Sequence, residues 1–297
     1  MSADETAPGS SHDSHGGAVS RRSFLRLLGA GAVGALTARS VVASYDFEIR
    51  DVTLPLRGLR EPLRVAWLCD LHFGPFIRDG SVGTWVDATL ALAPDLVLLG
   101  GDLVDRFAPA DLTPLLDRLG RLEAPLGVFA VRGNHEYARF DEAPDAFDAA
   151  LEVLGIVTLV NGGVTIRDDL YLAGVDDLNR GTVRLPRALA GWPGGSACLL
   201  MSHTPDVLPD VPVSVGLTLC GHTHGGQVVL PGVGPVVTSS RYGRRFVAGL
   251  VQGRAAGYVS TGLGMSHLPL RLNCPAELTL LTLVPEDGSV EDGSVRT

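Results

Sequence analysis

Residues 219–226 read LCGHTHGG: His222 and His224 stand one residue apart, fenced by glycines and preceded by an apolar run. Four other stretches share that build. LRVAWLCDLH closes on Asp70 and His72, and DLVLLGGDLVD on Asp102 and Asp105. GVFAVRGNHE closes on Asn134 and His135, with Glu136 next, and ACLLMSH on His203. A single histidine in a turn is ordinarily only a polar turn residue. Here five of the eight histidines close apolar runs, together with aspartates and an asparagine. Imidazole, carboxylate and amide oxygen are donors that suit divalent transition-metal ions. On an extended backbone, residues i and i+2 point the same way. That would aim Asp70 with His72, and His222 with His224, at common points.

The elements that must position these residues follow from the periodicity. The apolar runs have strand length. Amphipathic stretches of helical length lie between the first three, at about residues 80–92 and 111–122, and a third follows at 142–154. Such alternation implies βαβ units, and strand ends in them carry functional loops. Beyond residue 156 the rhythm changes to short strands: VTLVN, VTIR, YLAGVD, QVVL, RFVAGLVQ, AGYVST and ELTLLTL. These predict sheet packed on sheet. The expected fold is α/β, a two-sheet β-sandwich flanked by helices, over residues 44–285. Residues 286–297 repeat EDGSV and are expected to be a disordered acidic tail.

Composition removes several classes of function. The 297 residues are 45% hydrophobic, enough for one large domain or two small ones. The net charge of −9 makes nucleic acid an unexpected partner. All 24 basic residues are arginine, which excludes a Schiff-base lysine and a phosphate-loop lysine. No strongly apolar window of about 18 residues occurs, which argues against a multi-span membrane protein.

The first 43 residues read as an export signal. SRRSFLR at 20–26 precedes the apolar LLGAGAVGALTA at 27–38 and the small residues of VVAS. Arg21 and Arg22, followed by Phe24 and Leu25, resemble a twin-arginine signal. The plain alternative is a chance pair, such as Arg244 and Arg245. The expectation is export by the twin-arginine machinery to the periplasm or another extracytoplasmic space, with membrane association if the signal is retained. Cys69 and Cys220 end apolar runs, Cys198 begins one, and Cys274 completes the set. Such cysteines behave as small buried hydrophobes. There is no CxxC zinc spacing.

Taken in order, the motifs resemble the calcineurin-like metallophosphoesterases. D-x-H stands here as Asp70-Leu71-His72, G-D-x-x-D as Gly101-Asp102-Leu103-Val104-Asp105, and G-N-H-[ED] as Gly133-Asn134-His135-Glu136. The lone histidine is His203, and G-H-x-H is Gly221-His222-Thr223-His224. The resemblance covers residues 63–283. GHTHGGQ and GLGMSHLP are further similar to an exported bacterial subgroup of phosphohydrolases or phosphodiesterases. The implied fold is metallo-dependent phosphatase-like. The implied cofactors are two divalent ions, Mn, Fe or Zn. Asp70, His72 and His224 would hold the first, Asn134, His203 and His222 the second, and Asp102 would bridge them. His135 would be no ligand but the acid for the leaving oxygen, with Asp105 orienting its imidazole.

This implied site suits its chemistry. Two ions about 3.5–4 Å apart stabilise attacking and leaving oxygens and lower the pKa of a bridging water. The implied reaction is hydrolysis of a phosphodiester by the bridging hydroxide. Phosphomonoesters and nucleotide-sugar or lipid pyrophosphates are the alternatives. The partners would be a small phosphate ester or a phospholipid head group. The non-enzyme alternative is a membrane-tethered metal-binding interaction module anchored by residues 24–38. That stretch is short and glycine-rich for a span. Arg106, Arg241, Arg244, Arg245 and Arg271 are candidates for a rim meeting an anionic substrate, or simply solvated arginines. Glu136 would cap a helix or back the site, and His267 would be structural or exposed.

Overall fold

The computed structural model describes residues 45–266 and 268–286. The expected export signal at 1–43, the tail beyond Glu286, and His267 lie outside the described residues. The chain runs through β1 (Phe47–Leu56), β2 (Leu63–Leu68), α1 (Asp79–Ala91), β3 (Leu96–Leu99), α2 (Thr113–Leu119) and β4 (Val128–Ala130). It continues through α3 (Asn134–Arg139), α4 (Asp145–Val153), β5 (Ile156–Thr158), β6 (Gly162–Arg167), β7 (Leu170–Gly174) and α5 (Leu185–Ala188). Then come β8 (Ala197–Met201), β9 (Leu217–Cys220), β10 (Val229–Leu230) and β11 (Gly234–Pro235). The last strands are β12 (Gly249–Gln252), β13 (Ala256–Val259) and β14 (Ala276–Pro285).

Two mixed sheets result. The first has the order β1-β14-β2-β3-β4-β5 and the second β12-β13-β9-β8-β7-β6. In the first, β2 to β5 are parallel, as their helical crossovers require. In the second, β7, β8, β9 and β13 are parallel. Leu68 pairs with Leu99, and Leu99 with Ala130, so β2, β3 and β4 end level. Met201 at the end of β8 pairs with Leu219 near the end of β9. Two groups of chain ends are thus aligned.

Strict alternation divides each central strand between two cores. Val65 and Trp67 of β2 and Leu96 and Leu98 of β3 pack with Leu172, Leu199 and Leu219 of the other sheet. The intervening Ala66, Leu68, Val97 and Leu99 pack with Val82 and Trp85 of α1, Leu115 of α2 and Phe147 of α4. A third core joins Tyr171, Ala173 and Leu200 to Ala188 of α5. Strands covered on both faces read as continuous apolar runs, as LVLL does. The expected sandwich flanked by helices is the observed architecture.

Local differences have physical reasons. The helix expected at 111–122 spans only Thr113–Leu119, between Pro114 in its first turn and Gly120 at its C-cap. RFVAGLVQ is not one strand: Gly243–Phe246 forms a 3-10 turn and only Gly249–Gln252 is extended. β1 went unread because it is an edge strand, paired only to β14 and exposed at most of its positions. α3 begins at Asn134, where the sequence suggests only a strand end. All four cysteines are free and buried. Among the described residues, no helix is long and apolar enough to cross a membrane.

Candidate metal centre

The site lies beyond the C-terminal ends of five strands. β2 leads to Asp70 and His72, β3 to Asp102 and Asp105, and β4 to Asn134 and His135. β8 leads to His203, and β9 to His222 and His224. Main-chain bonds tie these ends together. His72 N–H donates to Asp102 O at 2.9 Å, and Gly221 N–H to His203 O at 2.9 Å. His222 N–H donates to both Asp70 carboxylate oxygens, at 3.0 and 3.1 Å, which links the two sheets across the site.

The x-spaced pairs are not on extended chain, and of the two only Asp70 and His72 share a group. Asp70, His72, Asp102, His222 and His224 have φ of 56°, 50°, 49°, 69° and 50°. All five sit in the left-handed region, which is sparsely populated outside glycine and costs of order 1–3 kcal/mol each. Each chain bends sharply after its strand: Asp70 and His72 still meet, as expected, but His222 and His224 part. His224 joins Asp70 and His72, whereas His222 joins Asp102 and His203. Strain at donor positions, held in place by rigid strands, is a hallmark of a functional site. Two glycines permit the crowding. A Cβ on Gly221 would lie 2.4 Å from Asp70 Oδ2, and one on Gly133 2.2 Å from Asp102 Oδ1.

Donor atoms face one another closely. His72 Nε2 is 3.0 Å from His224 Nε2, and His224 Nε2 is 3.6 Å from Asp70 Oδ1. In the second group His203 Nε2 is 3.2 Å from Asp102 Oδ2 and 3.2 Å from His222 Nδ1. Asp102 Oδ2 also lies 3.6 Å from His72 Nε2, so this carboxylate stands between the groups. A third candidate grouping, His72 with Asp105 and His135, shares His72 with the first. His203 shows why a cation fits. Its Nδ1 contacts Gly100 O at 2.9 Å and must donate, so Nε2 of the neutral ring presents a lone pair to a carboxylate. Asn134 Oδ1 is buried and has no hydrogen-bond partner. A buried acceptor left without a donor is costly. A cation among these atoms would satisfy Asn134 and separate the facing acceptors, so the donor set fits divalent metal ions.

Electrostatics follow the same pattern. Burial disfavours charge on Asp102, but His203 outweighs it and holds the carboxyl well below its ordinary pKa. Burial likewise opposes protonation of His203, yet the Asp102 charge drives its pKa well above the usual value. His224 moves down, first through burial, then through His72 and Arg271. His222 also moves down, through burial and then His203. His222 and His224 are thus held in the neutral form that binds metal, while Asp102 pulls His203 towards its cation, a positive charge that a metal ion would supply in its place.

His135 stands slightly apart. It opens α3, and its own N–H donates to Asp102 Oδ1 at 2.8 Å. Its Nδ1 lies 3.1 Å from the Arg106 amide and 3.4 Å from Asp105 Oδ2. Asp105 Oδ2 also lies 3.5 Å from His72 Nδ1, so Asp105 sits between two imidazoles. Burial opposes charge on His135, but the Asp105 contact outweighs it and the pKa rises.

Supporting residues surround the donors, Glu136 from within a motif and Asn179 and Arg271 from outside the motifs. Glu136 accepts from Gly133, Asp102, Leu103 and Val104 N–H groups at 2.7, 3.0, 2.6 and 3.3 Å, so it both ties down the Gly133 amide at the start of α3 and clamps the Asp102 turn. Asn179 places its amide 3.3 Å from His222 Nε2. Its loop is fixed by buried Asp177, which accepts from Asn179 N–H at 2.9 Å and Thr204 Oγ1 at 3.1 Å. No spacing in the sequence singles Asn179 out. Arg271 is no rim residue: it is 2% exposed. It donates to the Thr261, Gly262 and Gly264 carbonyls at 2.8, 2.9 and 2.6 Å and lies 3.4 Å from His224 Nδ1. Arg106, Arg241, Arg244 and Arg245 are exposed.

Comparisons with known proteins agree with this geometry. The family model described as calcineurin-like phosphoesterase matches residues 63–226. A Bacillus subtilis (strain 168) protein, "Uncharacterized metallophosphoesterase YkuE", is 29% identical over 284 residues, covering 89% of this chain and 98% of its own. An Escherichia coli (strain K12) protein, "Phosphodiesterase YaeI", is 34% identical over 231 residues, covering 75% and 83%. Among solved structures, a 5'-nucleotidase precursor from Thermus thermophilus is 15% identical with a TM-score of 0.43. That match covers 74% of this chain, which spans just over half of the other, 55%.

Proposed function

The chain belongs to the calcineurin-like phosphoesterase family, whose members are hydrolases, and from that premise we propose that it hydrolyses a phosphodiester at a centre of two divalent cations. Asp70, His72 and His224 would hold one cation and Asn134, His203 and His222 the other, with the Asp102 carboxylate standing between the two groups. The observation that carries this reading is the buried Asn134 Oδ1 with no hydrogen-bond partner, among ring nitrogens and a carboxylate oxygen crowded to 3.0–3.2 Å. Divalent cations bound there supply Lewis-acid stabilisation of charge on the phosphoryl oxygens. Mn, Fe and Zn all suit the mixed nitrogen and oxygen donors. The diester, rather than a monoester or a pyrophosphate, is favoured by the name of the Escherichia coli relative.

The chain's own residues do the rest. His135 gives a proton to the leaving oxygen from Nε2. Two neighbours compete for its Nδ1. The Arg106 amide favours the neutral ring, and the Asp105 carboxylate favours the imidazolium that can act as the acid. Asp105 also stands 3.5 Å from His72 Nδ1, where its charge acts on that ring. The test is hydrolysis of bis(p-nitrophenyl) phosphate by metal-stripped protein with and without added Mn²⁺. Turnover should appear with metal and vanish with chelator. Turnover indifferent to chelator would overturn the reading.

We further propose that residues 1–43 direct export by the twin-arginine pathway, leaving 44–285 as the catalytic domain and 286–297 as a tail. The support is SRRSFLR ahead of an apolar stretch. Arg21→Lys with Arg22→Lys should leave active precursor in the cytoplasm, read by fractionation. Export unchanged by the pair would mean a chance arginine doublet.

A further inference from the structure

A cavity of about 400 Å³ opens beside His224. Its walls include Val228, Val236, Val237, Leu268 and Leu270, with His224 on the lining. One wall is the β10–β11 hairpin and its exit, the other the segment around Ser266 and Leu270. Gln227 joins them to the His224 turn. Its amide accepts from Ser266 N–H at 2.7 Å and donates to the Leu268 and Leu270 carbonyls at 3.3 and 3.2 Å. That amide is committed to the backbone, so it shapes the wall. Among the described lining residues there is no aromatic ring on which a nucleobase could stack, and His224 is the one titratable side chain.

The surface around the mouth is apolar too. Leu230, Val233, Val236, Val237 and Leu268 are between 38% and 63% exposed. Single exposed aliphatics are ordinary, but a group gathered around an aliphatic cavity marks a binding surface. Cations stand beside it. Arg241, Arg244 and Arg245 are exposed on the neighbouring segment, and Arg244 packs over Gly234 at the hairpin tip, where a Cβ would lie 3.1 Å from Nη1. Aliphatic walls beside a candidate cation centre, with Arg244 against the hairpin tip in an otherwise acidic chain, match one ligand chemistry: a phosphate bearing a hydrocarbon chain, in an anionic surface.

We propose that this cavity binds the aliphatic chain of a phospholipid-type phosphodiester drawn from an anionic lipid surface, placing its phosphate at the candidate metal centre. The proposal rests on the phosphodiesterase reading and names its substrate class. Water adds across one P–O bond, releasing an alcohol and leaving a phosphomonoester. The full chain with Mn²⁺ would be given p-nitrophenyl methyl phosphate and p-nitrophenyl octyl phosphate. Each methylene buried tightens association about fourfold, so burial of three or four of the seven added methylenes should raise kcat/KM for the octyl ester by ~10²-fold. Val237→Asp and Leu268→Asp, both at exposed positions, should collapse that ratio towards unity. The protein should also co-sediment with phosphatidylglycerol vesicles and not with phosphatidylcholine vesicles. Equal kcat/KM for the two esters, a chain preference that survives both substitutions, or no association with phosphatidylglycerol would each overturn the proposal. If neither ester is turned over, the phosphodiesterase reading has failed instead. Calorimetric titration with n-octylphosphonate then still reads the cavity: binding lost in Leu268→Asp retains the apolar site, and no binding removes it.

Discussion

Two buried polar clusters flank the end of β4, and they satisfy their charges by opposite means. In one, Arg132 bonds Asp148 and Asp145, with Nε to Asp148 Oδ2 at 2.7 Å, and Nη1 reaches the Tyr137 hydroxyl at 3.2 Å. Tyr137 in turn donates to Asp176 Oδ1 at 2.5 Å. The carboxylates there are met by a cation from the chain itself, and Asp145 faces water as well. Two residues along, Asn134 opens onto the other cluster. There carboxylates and imidazole lone pairs face each other, and an amide oxygen has no partner. The nearby guanidinium of Arg271 sends its donors to main-chain carbonyls. Both clusters gather carboxylates around buried side chains, so acidity alone does not distinguish them. The difference lies in who supplies the cation. A cluster that brings its own arginine is built for stability, because a buried charge must be paired. A cluster of facing acceptors is built for a cation taken from solution.

The sharpest way to break this contrast is to remove a donor. His203→Ala, His222→Ala and His224→Ala should each lower metal content, His224→Ala through a different ion from the other two. Loss of Lewis-acid stabilisation is worth several kcal/mol, so kcat/KM should fall by about 10³-fold or more. Elemental analysis beside the kinetics checks both. If His222→Ala and His224→Ala retain two metals each, the division of the GHTH pair between two groups is wrong.

His135 probes the boundary between holding a cation and moving a proton. His135→Ala should keep both metals and the fold while losing ~10²–10⁴-fold in kcat on an alkyl ester with a poor leaving group. A nitrophenyl ester needs little protonation and should lose less. Asp105→Asn should lower both rates more mildly. Because Asp105 touches His72 as well as His135, it should also weaken metal retention, which His135→Ala should not. Equal losses on both esters in His135→Ala would mean that His135 binds the phosphoryl group rather than protonating the leaving oxygen.

The self-paired cluster should answer in stability, not in metal. Arg132→Met removes the partner of Asp148 and strands a partly buried carboxylate. Breaking such a pair costs about 2–4 kcal/mol once partial exposure is discounted. The melting temperature should drop by roughly 5–10 °C for a chain of this size. Metal content of the folded variant should match wild type. Loss of metal without loss of stability would erase the distinction between the clusters.

The sequence carried more of the site than of its support. Donors at strand ends are legible because each closes an apolar run, and the runs are legible because their strands are buried on both faces. The way the donors divide is not legible from spacing. His222 and His224 separate because each adopts a left-handed φ that no periodicity encodes. Glu136 was visible as a cap, but its grip on the Asp102 turn depends on 34 residues of intervening chain folding back. Asn179 and Arg271 reach the site from loops of unrelated composition, and Arg271 reads as a surface arginine until its loop closes over it. The edge strand β1 shows little burial and so left little pattern.

Asp169 extends the self-paired class far from the metal centre and supplies its mildest test. It accepts from the Arg60 and Glu61 amides at 2.7 and 3.4 Å and from Arg167 Nε at 2.5 Å. Burial disfavours its charge, but Arg167 and these amides outweigh burial and hold its pKa below the ordinary carboxylate value. The folded pKa therefore lies below the unfolded one, about 3.9. Its contribution to stability is complete above that unfolded value and is lost as pH falls through the folded value. Asp169→Asn should lower the urea midpoint at pH 7, and the gap from wild type should narrow as pH falls below about 4. Chelator in both samples removes the metal contribution from the comparison. A gap that stays constant from pH 7 to pH 3 would mean that Asp169 stabilises by shape and hydrogen bonding alone, and that its arginine is incidental. The same titration on Arg132→Met then asks whether that pairing is electrostatic, since Asp148 is pushed the other way, upward by burial against the pull of Arg132.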